Sequence, residues 1–288
     1  MTISRRAAAA ITTAFLLALL VAGCALLPGI GAGGLLHPTR TSTHRSAPAG
    51  CREETLQGRD VTLTAWRCLA TPPARGTIVY LHGIADNRGS AEGTIARFLP
   101  RGFNVIAYDS RAHGASGGDA CTYGFFEKDD LRRVLLTAEP GPIVLIGTSL
   151  GAAVALQAAA DEPRVSAVVA AETFSDLRTV ASERAPWFFS KGRIARAFEL
   201  AEAQAHFQVD AVGPEKAASR IRIPVLLIHG AADVETPPAH SERVYRALQG
   251  PKRLVIVPDA GHNGSVNADV WKQIEVWIED VLSNPRRG

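Results

Sequence analysis

Gly147-Thr148-Ser149-Leu150-Gly151 follows the short apolar run Ile143-Val144-Leu145-Ile146 and opens a stretch, Leu150 to Ala160, too long and alanine-rich for a strand. The order is strand, sharp turn, helix. A serine at such a turn has strained backbone geometry, and a bulky residue two positions before or after it would collide with neighbouring chain, so glycine stands at both places. The turn aims the serine oxygen outward above the sheet.

Outward from this turn, short apolar runs recur with helix-length segments between them. Thr77 to His82, Phe103 to Tyr108, Ile143 to Ile146, Val165 to Ala170, Pro224 to Ile228 and Arg253 to Val257 read as strands. Helices are expected at 91–99, 127–138, 150–160, 238–248 and 268–282. Strands apolar on both faces, separated by helices, predict a mostly parallel central sheet covered on both sides. Arg52 to Gln57 and Val61 to Arg67 fold back around Gly58-Arg59-Asp60 as an antiparallel hairpin at one edge. Residues 178–222 break the alternation and carry Trp187, Phe188, Phe189, Phe198 and Phe207, which reads as a small helical cap; its aromatics suit either an apolar acyl group or the packing of the cap itself.

A serine hydroxyl is a poor nucleophile until an adjacent base takes its proton, and that base needs an orienting carboxylate. Of eight histidines, only His262 lies late in the chain in a loop after a final strand, and the loop after the preceding strand offers Asp233. Ligands in such sheets bind beyond the carboxyl ends of strands, where these loops lie. Asp259 and Glu172 are the competing carboxylates. His82, His113 and His229 read as structural, His206 and His240 as surface residues, and Asp109 and Arg111 as pins for their loop.

His82-Gly83, Tyr108 to Ser116, Gly147 to Gly151, His229 to Asp233 and Gly261-His262-Asn263 together resemble the α/β-hydrolase superfamily over nearly all of residues 51–283. The similarity is greatest to the branch of serine-aminopeptidase-like hydrolases, bacterial esterases and acyl-protein thioesterases. The resemblance implies Ser149 as nucleophile, His262 as general acid and base, and Asp233 as its carboxylate. It implies an oxyanion hole of the Ile84 and Leu150 N–H groups. No cofactor or metal is expected. One departure is Ala112, where that family usually has glycine.

The N-terminus carries a different kind of information. Arg5 and Arg6 precede the apolar stretch Ala7 to Val21, shorter than the roughly 20 residues of a membrane-spanning helix, and small residues follow. Val21-Ala22-Gly23-Cys24 resembles the bacterial lipobox, implying a lipoprotein signal peptide over 1–23 and lipidation of Cys24. Residues 24–50, rich in Gly, Pro, Thr, Ser and Ala, read as a flexible tether to a catalytic domain at 51–283, with 284–288 as a tail. Export permits disulfides; the hairpin would set Cys51 opposite Cys68, leaving Cys121 free as a small buried apolar side chain.

A net charge of +3 over 288 residues, without a basic stripe, argues against a nucleic-acid partner. The expected function is hydrolysis of a small-molecule or lipid-like acyl ester or thioester by an enzyme lipid-anchored on the extracytoplasmic side of the bacterial cell envelope. Two alternatives stay open. One is a peptidase of the same fold, whose substrate amine Glu172, Asp176 and Glu183 would hold; the other is a non-catalytic envelope binding protein.

Overall fold

The computed structural model describes residues 26–283. Eight strands form one sheet in the order β1-β2-β4-β3-β5-β6-β7-β8. They are β1 (Cys51–Gln57), β2 (Thr62–Cys68), β3 (Gly76–Leu81), β4 (Phe103–Tyr108), β5 (Ile143–Thr148), β6 (Val165–Ala171), β7 (Val225–Gly230) and β8 (Lys252–Val257). The pairs β1/β2 and β2/β4 are antiparallel and all others parallel. This is the α/β-hydrolase fold. Every residue of β3, β4 and β7 is buried, because helices cover both faces.

The helices are α1 (residues 26–36), α2 (Glu92–Phe98), α3 (Glu127–Leu136), α4 (Leu150–Ala159), α5 (Leu177–Glu183), α6 (Lys191–Ala205), α7 (Pro214–Ala218), α8 (Ala239–Ala247) and α9 (Ala268–Ser283). Side chains alternate across the sheet, so Val79 and Leu81 of β3 join Leu131 of α3, Leu156 of α4 and Val244 of α8, whereas Ile78 and Tyr80 join Phe98 of α2 and Ile274 of α9. Apolar residues four apart, Val270, Ile274 and Ile278, turn one face of α9 inward. All ten residues of α4 are buried, and its alanines let it lie close against β5 and β6 beneath the site.

The hairpin pairs Cys51 with Cys68 in register, and a disulfide joins them at a Cα separation of 4.0 Å. Cys121 is a buried free thiol, and burial pushes its pKa well up.

Two boundaries differ from expectation. Residues 26–50 are no loose tether across the described part: α1 buries Ala32 and Leu36 in a third apolar cluster with Phe174, Leu177 and Phe198. The end of α1 and the stretch after it are held by hydrogen bonds to the catalytic domain's loops. Leu36 O accepts from Cys121 N at 2.8 Å, Leu35 O from the Tyr123 hydroxyl at 2.9 Å, Ser116 O from Arg40 at 2.6 Å and Thr41 O from Asn87 Nδ2 at 2.9 Å. Glycine-rich composition hid a helix that tertiary contacts stabilise. The proposed signal segment, Cys24 and the tail at 284–288 lie outside the described residues.

The cap is also shorter than 178–222. Helices α5 and α6 stand over the site, but Ala218 and Ile221 rejoin the main core and α7 packs on α4 and α8. No described helix is long and apolar enough to cross a membrane.

Three histidines are sealed inside as neutral rings. Desolvation lowers the pKa of His82, His240 and His113, the last to about 4. His113 Nδ1 donates to Arg111 O at 2.8 Å. An unfolded chain protonates these rings near pH 6.5, so it binds more protons below that pH and stability falls with acidification. For His113 the loss starts near 6.5, levels off near 4 and reaches about 3 kcal/mol. Urea unfolding is expected to show a lower midpoint at pH 4.5 than at pH 7.5, and His113→Gln should remove part of that difference; equal midpoints for the native protein would contradict it.

Candidate active site

Ser149 sits between β5 and α4 with φ 49° and ψ −114°, a conformation that costs a non-glycine residue about 1–3 kcal/mol. The surroundings impose it: Ser149 N donates to Ala171 O of β6 at 2.8 Å, while Ser149 O accepts from Ala153 N at 3.1 Å. A Cβ on Gly147 would meet the Gly151 carbonyl, and one on Gly151 would meet the Leu81 carbonyl. Both glycines are therefore steric requirements of this turn.

The loops after β7 and β8 bring Asp233 and His262 to the serine. His262 Nε2 accepts from Ser149 Oγ at 3.0 Å, and His262 Nδ1 donates to Asp233 Oδ2 at 2.7 Å. Asp233 Oδ1 accepts from the backbone N–H groups of Glu235 at 3.0 Å and Thr236 at 2.9 Å. Burial opposes ionisation of Asp233, but the Thr236 N–H and His262 outweigh it and hold the carboxyl below the usual carboxylate range. The carboxylate is thus charged and fixed, which sets His262 in the tautomer that leaves Nε2 free to take a proton.

His229 supports this pair. Its Nε2 lies 2.7 Å from Thr236 O and 3.2 Å from Asp233 Oδ2, and its Nδ1 lies 2.6 Å from Ser241 Oγ. A carbonyl only accepts, so Nε2 carries the proton and Nδ1 accepts from the Ser241 hydroxyl. Adjacency to a backbone carbonyl was foreseeable for His229; its approach to Asp233 depends on how the loop closes.

Glu172 does not reach the His262 ring. It takes a left-handed backbone, φ 57°, at the end of β6, and its buried carboxylate accepts from Asn263 N at 2.6 Å and Ser265 N at 3.0 Å. It clamps the backbone that presents His262. Misplacing a catalytic group by about 1 Å can cost 100-fold. Glu172→Gln, which loses one charged acceptor, is expected to lower kcat about 10- to 100-fold with KM nearly unchanged, as steady-state kinetics would show; an unaltered kcat would remove the clamp from the account.

The segment after β3 supplies the other half of the site. His82 Nε2 accepts from Ser110 N at 3.0 Å, so Nδ1 holds the proton and donates to Gly83 O at 2.7 Å. This orients the loop whose Gly83 lies against Ser149, a Cβ there falling 3.6 Å from that of the serine. The N–H groups of Ile84 and Leu150 donate to no carbonyl or side chain among the described residues, and both residues line the cavity that holds Ser149. Leu150 also begins α4, where unpaired N–H groups and the helix dipole favour negative charge.

Other expected residues stand elsewhere. Asp259 is exposed on its turn. Asp176 caps α5 by accepting from Thr179 N at 2.8 Å, and Glu183 accepts from His240 Nε2 at 2.7 Å, so with Glu172 engaged the three carboxylates form no amine site. His240, expected at the surface, is fully buried, and its Nδ1 accepts from Ser175 N at 3.1 Å. A polar helix position gave no sign that the cap would cover it. Asp109 accepts from Arg88 N at 2.7 Å and Ala115 N at 2.8 Å, and Arg111 pairs with Asp130 at 2.7 Å, so both hold loops. Ala112 keeps a left-handed backbone, φ 60°, that explains the usual glycine. Among the described residues no group of three His, Cys, Asp or Glu side chains is arranged to hold a metal.

Two cavities meet at Ser149. One, about 510 Å³, is walled by Ile84, Phe174, Leu177, Val180, Phe189 and Phe198 and by α1 through Leu27, Ile30 and Leu35. The other, about 410 Å³, contains His262 and is lined by Tyr80, Asp86, Ser90, Arg184, Glu235 and Asn263. An apolar chamber and a polar one thus flank a single hydroxyl. Both volumes fall in the range of small-molecule sites.

Fold and site together define an α/β hydrolase, and the chain belongs to that family. The family described as alpha/beta hydrolase fold matches residues 76–215, and that described as TAP-like protein matches 200–280. The chain is 33% identical to the uncharacterized protein YfhR of Escherichia coli strain K12 over 225 residues, 74% of this chain and 73% of the relative. Against YfhR of strain O157:H7 the match covers 66% of this chain and 63% of the relative, so it spans less than two thirds of that protein. Identity to the uncharacterized protein YqkD of Bacillus subtilis is also 33%, over 65% of this chain and 64% of that one. An esterase of Pyrococcus furiosus superposes with a TM-score of 0.67 at 20% identity, covering 87% of this chain and 98% of that chain, which shows the common fold.

Proposed function

We propose that this protein is a serine hydrolase that cleaves carboxylic ester or thioester bonds through an acyl-serine intermediate while anchored at the bacterial cell envelope. The observation that carries the reading is the hydrogen-bonded series Ser149, His262 and Asp233 opening onto an apolar chamber. Ser149 Oγ attacks the substrate carbonyl as its proton passes to His262 Nε2. The carbonyl oxygen becomes an oxyanion facing the Ile84 and Leu150 N–H groups. Collapse expels the alcohol or thiol, which takes the proton from His262. Water then repeats the sequence on the acyl-serine, releasing the acid and restoring the hydroxyl. The chamber of about 510 Å³ accepts the acyl chain, and the polar cavity beside His262 accepts the leaving group.

Anchoring is supported by the lipobox-like Val21 to Cys24 and by the Cys51–Cys68 disulfide, a bond that persists in oxidising compartments. The peptidase reading loses its support because its three carboxylates are bound elsewhere in the fold.

The test is intact-mass analysis after exposure to a fluorophosphonate, with p-nitrophenyl esters of graded chain length in parallel. A single phosphonyl adduct on Ser149, with kcat/KM rising from acetate to longer chains, is the expected result. No adduct on folded protein would favour an inert binding protein; adduct with no ester turnover would exclude the esterase.

A further inference from the structure

The mouth of the apolar chamber is rimmed by side chains that a water-facing surface would not select. Leu26 is 65% exposed, Ile30 64%, Phe188 44% and Trp187 94%. They are contiguous. Ile30 and Phe188 both line the chamber, Leu26 lies one turn before Ile30 on the same face of α1, and the Trp187 and Phe188 rings are 5.8 Å apart. Two elements distant in sequence, α1 and the loop between α5 and α6, thus converge to expose one apolar rim above Ser149. Contiguous exposed apolar surface of this kind marks an interaction site.

What covers it is indicated by the chain that leads into it. Leu26 follows Cys24 by two residues, at most about 7 Å of chain. A lipid surface that holds Cys24 is therefore within reach of the rim. Its charge fits as well: Lys191 and Arg193 follow the aromatic loop on the first turn of α6, and neither belongs to an ion pair among the described residues. Cations beside exposed aromatic side chains suit anionic headgroups.

We infer that this rim is a docking surface for a bilayer containing anionic lipid, which seats the chamber mouth on the membrane so that an acyl chain passes from lipid to Ser149 without crossing water. The inference rests on the envelope-anchoring reading. It also gives α1 a purpose that a spacer lacks, since one helix both walls the chamber and presents the rim.

The test uses the full-length chain, purified in detergent and reconstituted with phosphatidylethanolamine and phosphatidylglycerol vesicles, some made with brominated acyl chains. Sedimentation reports anchoring. Docking is reported by bromine quenching of the emission that Trp187→Phe removes, a readout that needs no turnover. A third measurement compares hydrolysis of a long-chain monoacylglycerol held in the vesicles with that of dissolved p-nitrophenyl butyrate. Leu26→Glu combined with Trp187→Glu alters only residues outside the chamber lining. The expected result is sedimentation, quenching of Trp187 and an approximately tenfold loss of vesicle-ester hydrolysis in the double variant with butyrate turnover unchanged. Sedimented protein with unquenched Trp187, or a double variant at native rate on the vesicle ester, would overturn the docking surface and leave the anchor standing. Absence of sedimentation would overturn both.

Discussion

Ser149→Ala is expected to lower ester hydrolysis by roughly ten-thousand-fold or more while the unfolding transition stays close to that of the native protein. The size follows from what is removed. Without Oγ no acyl-serine forms, and only the oxyanion donors and substrate binding remain to assist direct attack by water. Stability is spared because Ser149 is barely exposed yet makes no side-chain contact in the hydrogen-bond pattern except that to His262, and alanine fits the same space. The turn should hold as well: both flanking glycines remain, and the backbone bonds to Ala171 and Ala153 do not involve the hydroxyl. Kinetics on p-nitrophenyl butyrate and a thermal melt decide the matter together. A folded variant with native turnover would end the acyl-serine account.

Asp233→Asn should reduce kcat about a thousand- to ten-thousand-fold, and for a different reason. Asp233 Oδ2 accepts from His262 Nδ1 and faces His229 Nε2, while Oδ1 accepts two backbone N–H groups. A carboxylate can satisfy four donors; an amide must turn its NH2 toward one of them. Because the two backbone donors cannot turn away, the NH2 falls on the histidine side. It then favours the His262 tautomer protonated on Nε2, which cannot accept the Ser149 proton. The loss should appear in kcat with KM little changed, and fluorophosphonate labelling should slow in parallel. A variant that keeps native labelling speed would show that Asp233 does not set the tautomer.

Much of this could be read from local pattern. The strands β3 to β7 announce themselves as apolar runs because both faces are covered, and the register of β1 on β2 follows from two short runs around Gly58 to Asp60. Ser149 was legible from its flanking glycines, and Asp233 and His262 from their positions after the last two strands, since a doubly covered sheet leaves only loops for exposed chemistry. Glu172 was legible as a carboxylate near the site, but not as the clamp on the His262 loop, because its partners are backbone N–H groups 91 and 93 residues away. His240 looked like a surface residue because nothing local records that Glu183 and Ser175 will close over it. The same limit hid α1. Residues 26–36 hold four glycines and a proline, a poor helix by propensity, and become helical where burial of Ala32 and Leu36 against Phe174 and Phe198 compensates.

What sequence alone decided, then, is the sheet, the turn at Ser149 and the order of nucleophile, acid and base, all of which depend on short-range periodicity and steric rules. Tertiary structure decided the rest: the bond between Asp233 and His262, the clamp from Glu172, the extent of the cap, and the chamber shared between α1 and α6. Each of these depends on contacts between segments tens to hundreds of residues apart, where the free energy of burial and of paired buried charge outweighs local preference and leaves no mark in neighbouring residues.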